Sequence, residues 1–199
     1  MLPSKETVEI ASWFVAIVGG LAAAYKGLRE LSESRRLREH ELRWKQAQLA
    51  REVLNSFFSN KFVRDATIML DWYGREFEIG PNKKAEIVWA DLPVALRTWG
   101  GPQVPFDDTQ VYIRDCFDAL FDGLELIEHY LRTGLLDFSD VQFPMAYHVK
   151  KLREHWNAME PFMNRYGYSL ALAFVDRFHG DSPTTANPPT TELSKSGRV

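Results

Sequence analysis

Cysteine is almost absent from this chain of 199 residues, Cys116 being the only one. That excludes an intramolecular disulfide and a thiolate zinc cluster, and it fits a reducing compartment. An excess of charge is missing too. A net charge of −3 supplies no basic field for phosphate, so nucleic acid is not an expected partner. There is no phosphate-binding glycine loop, no zinc-protease helix motif and no serine-nucleophile elbow. No glutamate stands three residues before a histidine, the pairing that inward-facing carboxylate metal sites in helical bundles use. No stretch alternates apolar and polar residues long enough to demand a sheet. An enzyme is therefore not favoured: no catalytic, cofactor-binding or metal-binding residue is predicted, and no cofactor is expected.

What is present begins with an uncharged run from Ile10 to Tyr25. About 16 residues rise roughly 24 Å as a helix, and Val8 and Leu28 extend it toward the ~30 Å of a bilayer core. The run is apolar around its whole circumference, which argues against a helix buried along one stripe of a soluble domain. Ala22-Ala23-Ala24 offers a small-residue cleavage pattern, so an export signal is an alternative, but Glu6 and Glu9 offset Lys5 ahead of the run. Positive charge follows instead, at Lys26, Arg29, Arg35, Arg36 and Arg38. That asymmetry predicts a single-pass anchor over residues 10–28, a short extracytoplasmic N-terminus over 1–9 and a cytoplasmic remainder at an inner membrane. Ser12, Ala16, Gly20 and Ala24 recur every fourth residue, a small-faced stripe along which two spans could pack into a homo-oligomer.

The segment from Lys26 to Phe58 has no proline and no glycine after Gly27, which predicts one long helix. Arg29/Glu33, Arg35/Glu39, Glu39/Arg43 and Glu41/Lys45 are opposite charges at i,i+4 spacing. Leu28, Leu42 and Leu49 share a heptad position, but Arg35, Arg38 and Lys45 interrupt the seam, so residues 29–58 read as a solvated stalk rather than a strong coiled coil.

Residues 59–179 read as an all-α antiparallel helical bundle. Phe62, Ala66, Met69, Tyr73 and Phe77 mark one helical face, ended by Gly80-Pro81, and Val88, Leu92, Ala95 and Trp99 mark a shorter helix. Asp107 or Asp108 is placed to cap the clearest helix of the chain, where Ile113, Phe117, Leu120, Leu124, Ile127 and Leu131 alternate steps of four and three before Gly134. Pro144 is placed to open a further helix whose stripe runs from Met145 through Trp156 to Leu170, kinked at Pro161. Leu124 and Trp156 are expected to be buried. Residues 180–199 are rich in proline, threonine and serine and read as a disordered tail.

On the clearest helix Asp115, Asp118, Asp122, Glu125 and His129 each precede a stripe residue by two positions, about 200° around the axis. The five are read as a solvated face or partner surface, not as a metal or acid/base site completed by His148 or His155.

The order of one apolar span, a charged stalk, then "RWKQAQLAREVLNSFFSNKFVRDA" leading to "YIRDCFDALFDGLELIEHYLRTGLLD", resembles a broad group of uncharacterised bacterial single-pass membrane proteins with a helical cytoplasmic domain. That resemblance covers roughly residues 8 to 178 and implies no activity and no catalytic residues. Two functions follow as expectations. The first is a membrane-anchored, self-associating scaffold for an unknown cytoplasmic protein; the second is an oligomerising effector that perturbs the bilayer. The span has no polar stripe to line an aqueous pore, which favours the first. A helical hydrolase is a distant alternative.

Overall fold

The structure is a computed structural model that describes residues 5–98 and 105–180; the side chains of residues 5–19, 21–24, 179 and 180 are not among those described. Ser12, Ala16 and Ala24, the terminal segments 1–4 and 181–199, and Trp99 therefore lie outside the described side chains. Of the predicted packing stripe only Gly20 is described, and a Cβ placed there would meet nothing within 4 Å. Among the described residues no helix is long and apolar enough to cross a membrane.

The chain divides into two units, Met1–Leu49 and Ala50–Val199. The described residues of the first, 5–49, belong to helix α1 (Lys5–Ser59). From Tyr25 to Gln48 most of its side chains are exposed, including Leu28, Leu31, Leu37, Leu42 and Trp44. Intrahelical ion pairs lace it, with Arg29 Nε 3.0 Å from Glu33 and Lys45 Nζ 2.7 Å from Glu41. Opposite charges at i,i+4 spacing are neighbours on a helix surface and support an exposed helix locally.

The second unit is mostly helical, as expected. Its core is built around α4 (Asp108–Arg132), against which α2 (Lys61–Asp71), α3 (Asp91–Ala95) and α7 (Ser169–Gly180) pack. Helices α5 (Phe138–Glu154) and α6 (Trp156–Tyr166) complete the unit. The four-three stripe of α4 is buried from Ile113 through Ile127, with Leu124 only 2% exposed. Asp107 is the cap that the sequence left open between two aspartates: its side chain accepts the Gln110 N–H at 2.8 Å. At the other end Gly134 takes φ 72°, a left-handed stop that a residue with a Cβ adopts only at a cost.

Three local expectations are corrected. The helix through Phe62 and Met69 ends at Asp71, and Tyr73 and Phe77 do not continue it. An antiparallel hairpin follows instead, β1 (Gly74–Gly80) against β2 (Lys83–Val88), with Phe77 opposite Ala85. Phe77 and Ile87 point inward while the charged residues between them face water. Gly80-Pro81 does not stop a helix; Pro81 fixes one corner of the hairpin turn and Asn82 takes φ 56° at the next. Val88 accordingly belongs to β2, and its N–H is held by Asp91 at 2.8 Å.

Second, α5 opens at Phe138, where Asp137 accepts the Ser139 N–H at 2.9 Å, so Pro144 lies inside the helix and does not start it. Third, the long stripe from Met145 to Leu170 is three helices. It is interrupted at His155 and again at Gly167, whose φ is 85°, while Pro161 stays within α6. The break at His155 makes Trp156 the first residue of α6 and leaves it half-buried.

Candidate functional site

The acidic face of α4 is not uniform. Tyr168, in the connection from α6 to α7, donates its hydroxyl to Asp118 at 2.8 Å. Glu125 accepts the Leu170 N–H at 3.0 Å, within the first turn of α7. A carboxylate there satisfies one of the open donors of a helix start and complements its dipole. These two side chains are engaged inside the chain, and burial, followed by the bond to Asp118, pushes the Tyr168 phenol well above its ordinary pKa.

Asp115 and Asp122 are exposed and accept no hydrogen bond within the described residues, and His129 is exposed near the end of the helix. Partial burial raises the pKa of Asp115, and the neighbouring Asp118 adds to it. Burial likewise raises Asp122, followed by Asp118 and Glu125. Like charges along one helix face account for both secondary effects. Among the described residues no group of three or more histidine, cysteine, aspartate or glutamate side chains could hold a metal ion.

Beside this face runs a cleft of about 520 Å³. The last turns of α1 supply one wall, with Glu52, Val53, Ser56 and Phe57; α4 supplies the other, with Ala119, Asp122, Gly123, Leu126 and Tyr130. Gly123 decides its depth. A Cβ at that position would come within 2.5 Å of two ring carbons of Phe57, so only glycine lets the ring lie against the α4 backbone. Phe57 is 6% exposed and is held edge-on by Phe58 at 5.0 Å, whereas Leu126 at the rim is 47% exposed. The cleft therefore has an apolar floor and a carboxylate on its edge.

Two polar clusters lie inside the unit. Glu128 is 1% exposed and accepts from Arg177 at 2.6 and 2.9 Å and from Arg132 at 2.8 Å, tying α7 to α4. In the second cluster the Tyr112 hydroxyl donates to Asp65 at 2.6 Å, Lys61 stands 3.1 Å from the same carboxylate, and Lys61 also bonds Tyr112. Cys116 lies beside them, fully enclosed, and burial followed by the nearby Asp65 pushes its thiol up to about 12. A sealed thiol of that acidity is no nucleophile at neutral pH.

The two histidines considered as completing ligands do not join the acidic face. His148 packs on Phe58, with ring centroids 4.9 Å apart, and burial lowers its pKa against the opposing pull of Asp71. His155 lies between α5 and α6 against Trp89, at 5.1 Å.

Sequence reasoning passed over Glu128, although a signal was present: it extends the row Phe117, Phe121, Leu124 by one more step of four and has Arg132 four residues on. Nothing in the sequence signals the cleft, because Phe57 and Gly123 meet only in the fold. Comparisons with protein families, curated proteins and solved structures found no match to this chain.

Proposed function

We propose that this chain is a membrane-tethered helical interaction module. In this reading residues 10–28 cross an inner membrane once, the body faces the cytoplasm, and copies associate through Ser12, Ala16, Gly20 and Ala24. The observation that carries it is the cleft between the end of α1 and α4, an open depression with an apolar floor and Leu126 exposed at its rim. Such a surface offers buried area to a partner. The buried ionisable side chains Asp65, Tyr112 and Glu128 are already bonded to one another or to arginine and lysine, which suits a structural role better than catalysis.

Alkaline extraction of membranes tests the tether: the full chain should stay with the lipid, and its release would remove the anchor. A membrane two-hybrid signal that survives Gly20→Ile would exclude the small-residue stripe as the contact between copies. For the body, a photo-crosslinking residue at Leu126 in native membranes should join the chain to a second polypeptide. No adduct above that of a crosslinker at exposed Glu86 would refute the docking role.

A further inference from the structure

The partner's chemistry can be read from the cleft, on the reading that the body is an interaction module. We propose that the cleft receives a basic amphipathic helix of another protein, its apolar residues lying over Phe57, Ala119 and Leu126 and its lysines or arginines meeting Asp122 and Asp115. Three features converge on this occupant.

The first is length. The α4 wall from Ala119 to Tyr130 spans about three turns, roughly 16 Å, which is long enough to take anchors spaced i, i+4 and i+7 on a docked helix, about 10 Å end to end. The second is relief. Because the Phe57 ring lies against Gly123, the floor is recessed between the two helices, as a groove for side chains rather than a flat patch. The third is charge. Asp118 and Glu125 are used by Tyr168 and Leu170, whereas among the described residues Asp115 and Asp122 accept no hydrogen bond; Asp122 lines the cleft, and Asp115, seven residues earlier, falls on the same face of α4. Burial raises the pKa of both carboxyls; Asp118 adds to it at Asp115 against the pull of Arg114, and Asp118 and Glu125 add to it at Asp122, so a cation brought beside Asp122 relieves an existing repulsion. An acidic rim repels phosphate and anionic peptides, which sets the sign of the partner.

The probe is a synthetic peptide about 18 residues long, with leucines at i, i+3, i+4 and i+7, lysines elsewhere and one photoreactive phenylalanine analogue. Two controls carry the same composition scrambled and glutamates in place of the lysines. The full chain, in nanodiscs of neutral lipid, is irradiated with each peptide and the adducts are mapped. Adducts of the lysine peptide should concentrate on residues 53–57 and 119–126 and fall as salt rises from about 50 to about 500 mM. Leu126→Arg, at a position that is 47% exposed and so tolerant, should lower the adduct yield about tenfold. The shape-conserving pair Asp115→Asn and Asp122→Asn should weaken labelling and flatten its salt dependence. Equal labelling by the glutamate or scrambled peptide, adducts falling elsewhere, or no response to either variant overturns the proposal. So does a crosslink between two copies at Leu126 with no peptide adduct, which assigns the cleft to self-association. If the crosslinker at Leu126 captures a partner in native membranes while the lysine peptide is ignored, the module reading stands and the basic-helix assignment falls; if neither forms, both fall.

Discussion

Replacing Glu128 by glutamine changes one atom and reverses the logic of a buried cluster. The carboxylate is 1% exposed and gathers three short bonds, two from Arg177 and one from Arg132. Glutamine keeps the shape and one acceptor oxygen, but its amide nitrogen must face guanidinium donors, so at least one charge-assisted bond becomes a donor–donor contact. A bond of that kind is worth about 1.5–3 kcal/mol, and breaking one side of a buried pair costs about 3–5 kcal/mol. The side chains of Arg132 and Arg177 are 52% and 39% exposed, so both can turn toward water and recover part of the loss. The expected destabilisation is therefore about 2–4 kcal/mol, a large part of the ~5–15 kcal/mol that holds a domain of this size together.

The pH dependence carries a sign. Burial opposes ionisation of Glu128, but hydrogen bonds and charge from Arg177 and Arg132 outweigh it and hold the folded pKa below the ordinary glutamate value. A depressed folded pKa gives stability that is complete above the unfolded pKa of about 4.3 and is lost as pH falls through the folded value. The gap between native chain and Glu128→Gln should thus be widest above about pH 5 and close progressively in acid. Urea unfolding of the full chain in mild detergent, followed by tryptophan fluorescence across that range, measures both. A gap below about 0.5 kcal/mol, or one indifferent to pH, would mean that the cluster does not hold α7 to α4.

Gly123→Ala sets two effects against each other. Alanine gains about 1 kcal/mol of helix propensity, but its Cβ would press on the Phe57 ring and cost about 1–3 kcal/mol of overpacking, so a lowered melting temperature is expected, recovered when Phe57→Leu is added. A more stable single variant would show that the ring does not lie there. Leu124→Ala, at a side chain 2% exposed in the middle of the α4 stripe, should cost about 2–5 kcal/mol by differential scanning calorimetry or urea unfolding; an unchanged transition would misplace the buried face.

How much of this was legible in the chain varies by element. Helix α4 was open to reading because each of its signals is local: the four-three stripe, Asp107 ahead of it and Gly134 behind. The hairpin was hidden because Tyr73 and Phe77 fall at helical spacing after Met69, and a seven-residue strand alternates too briefly to outweigh them. The breaks at His155 and Gly167 were hidden for a related reason, since the apolar stripe runs across both without losing phase. For the candidate site, helical geometry placed five polar residues on one face of α4 but could not apportion them. Tyr168 and Leu170, which engage Asp118 and Glu125, return from far along the chain. Periodicity describes a helix alone; the partners of its outer face are a property of the fold.

The enclosure of Cys116 has a practical side. At neutral pH a thiol with a pKa near 12 is ionised to about one part in 10⁵, and with no exposed surface it meets no reagent in the folded chain. For maleimide chemistry the native protein already behaves as cysteine-free, so a probe cysteine can be introduced anywhere on the surface without touching the core. The same sulfur becomes reactive whenever α2 and α4 part. Its slow modification by an added thiol reagent in an otherwise untouched chain then times the opening of the core, a clock that needs no denaturant and no engineered residue.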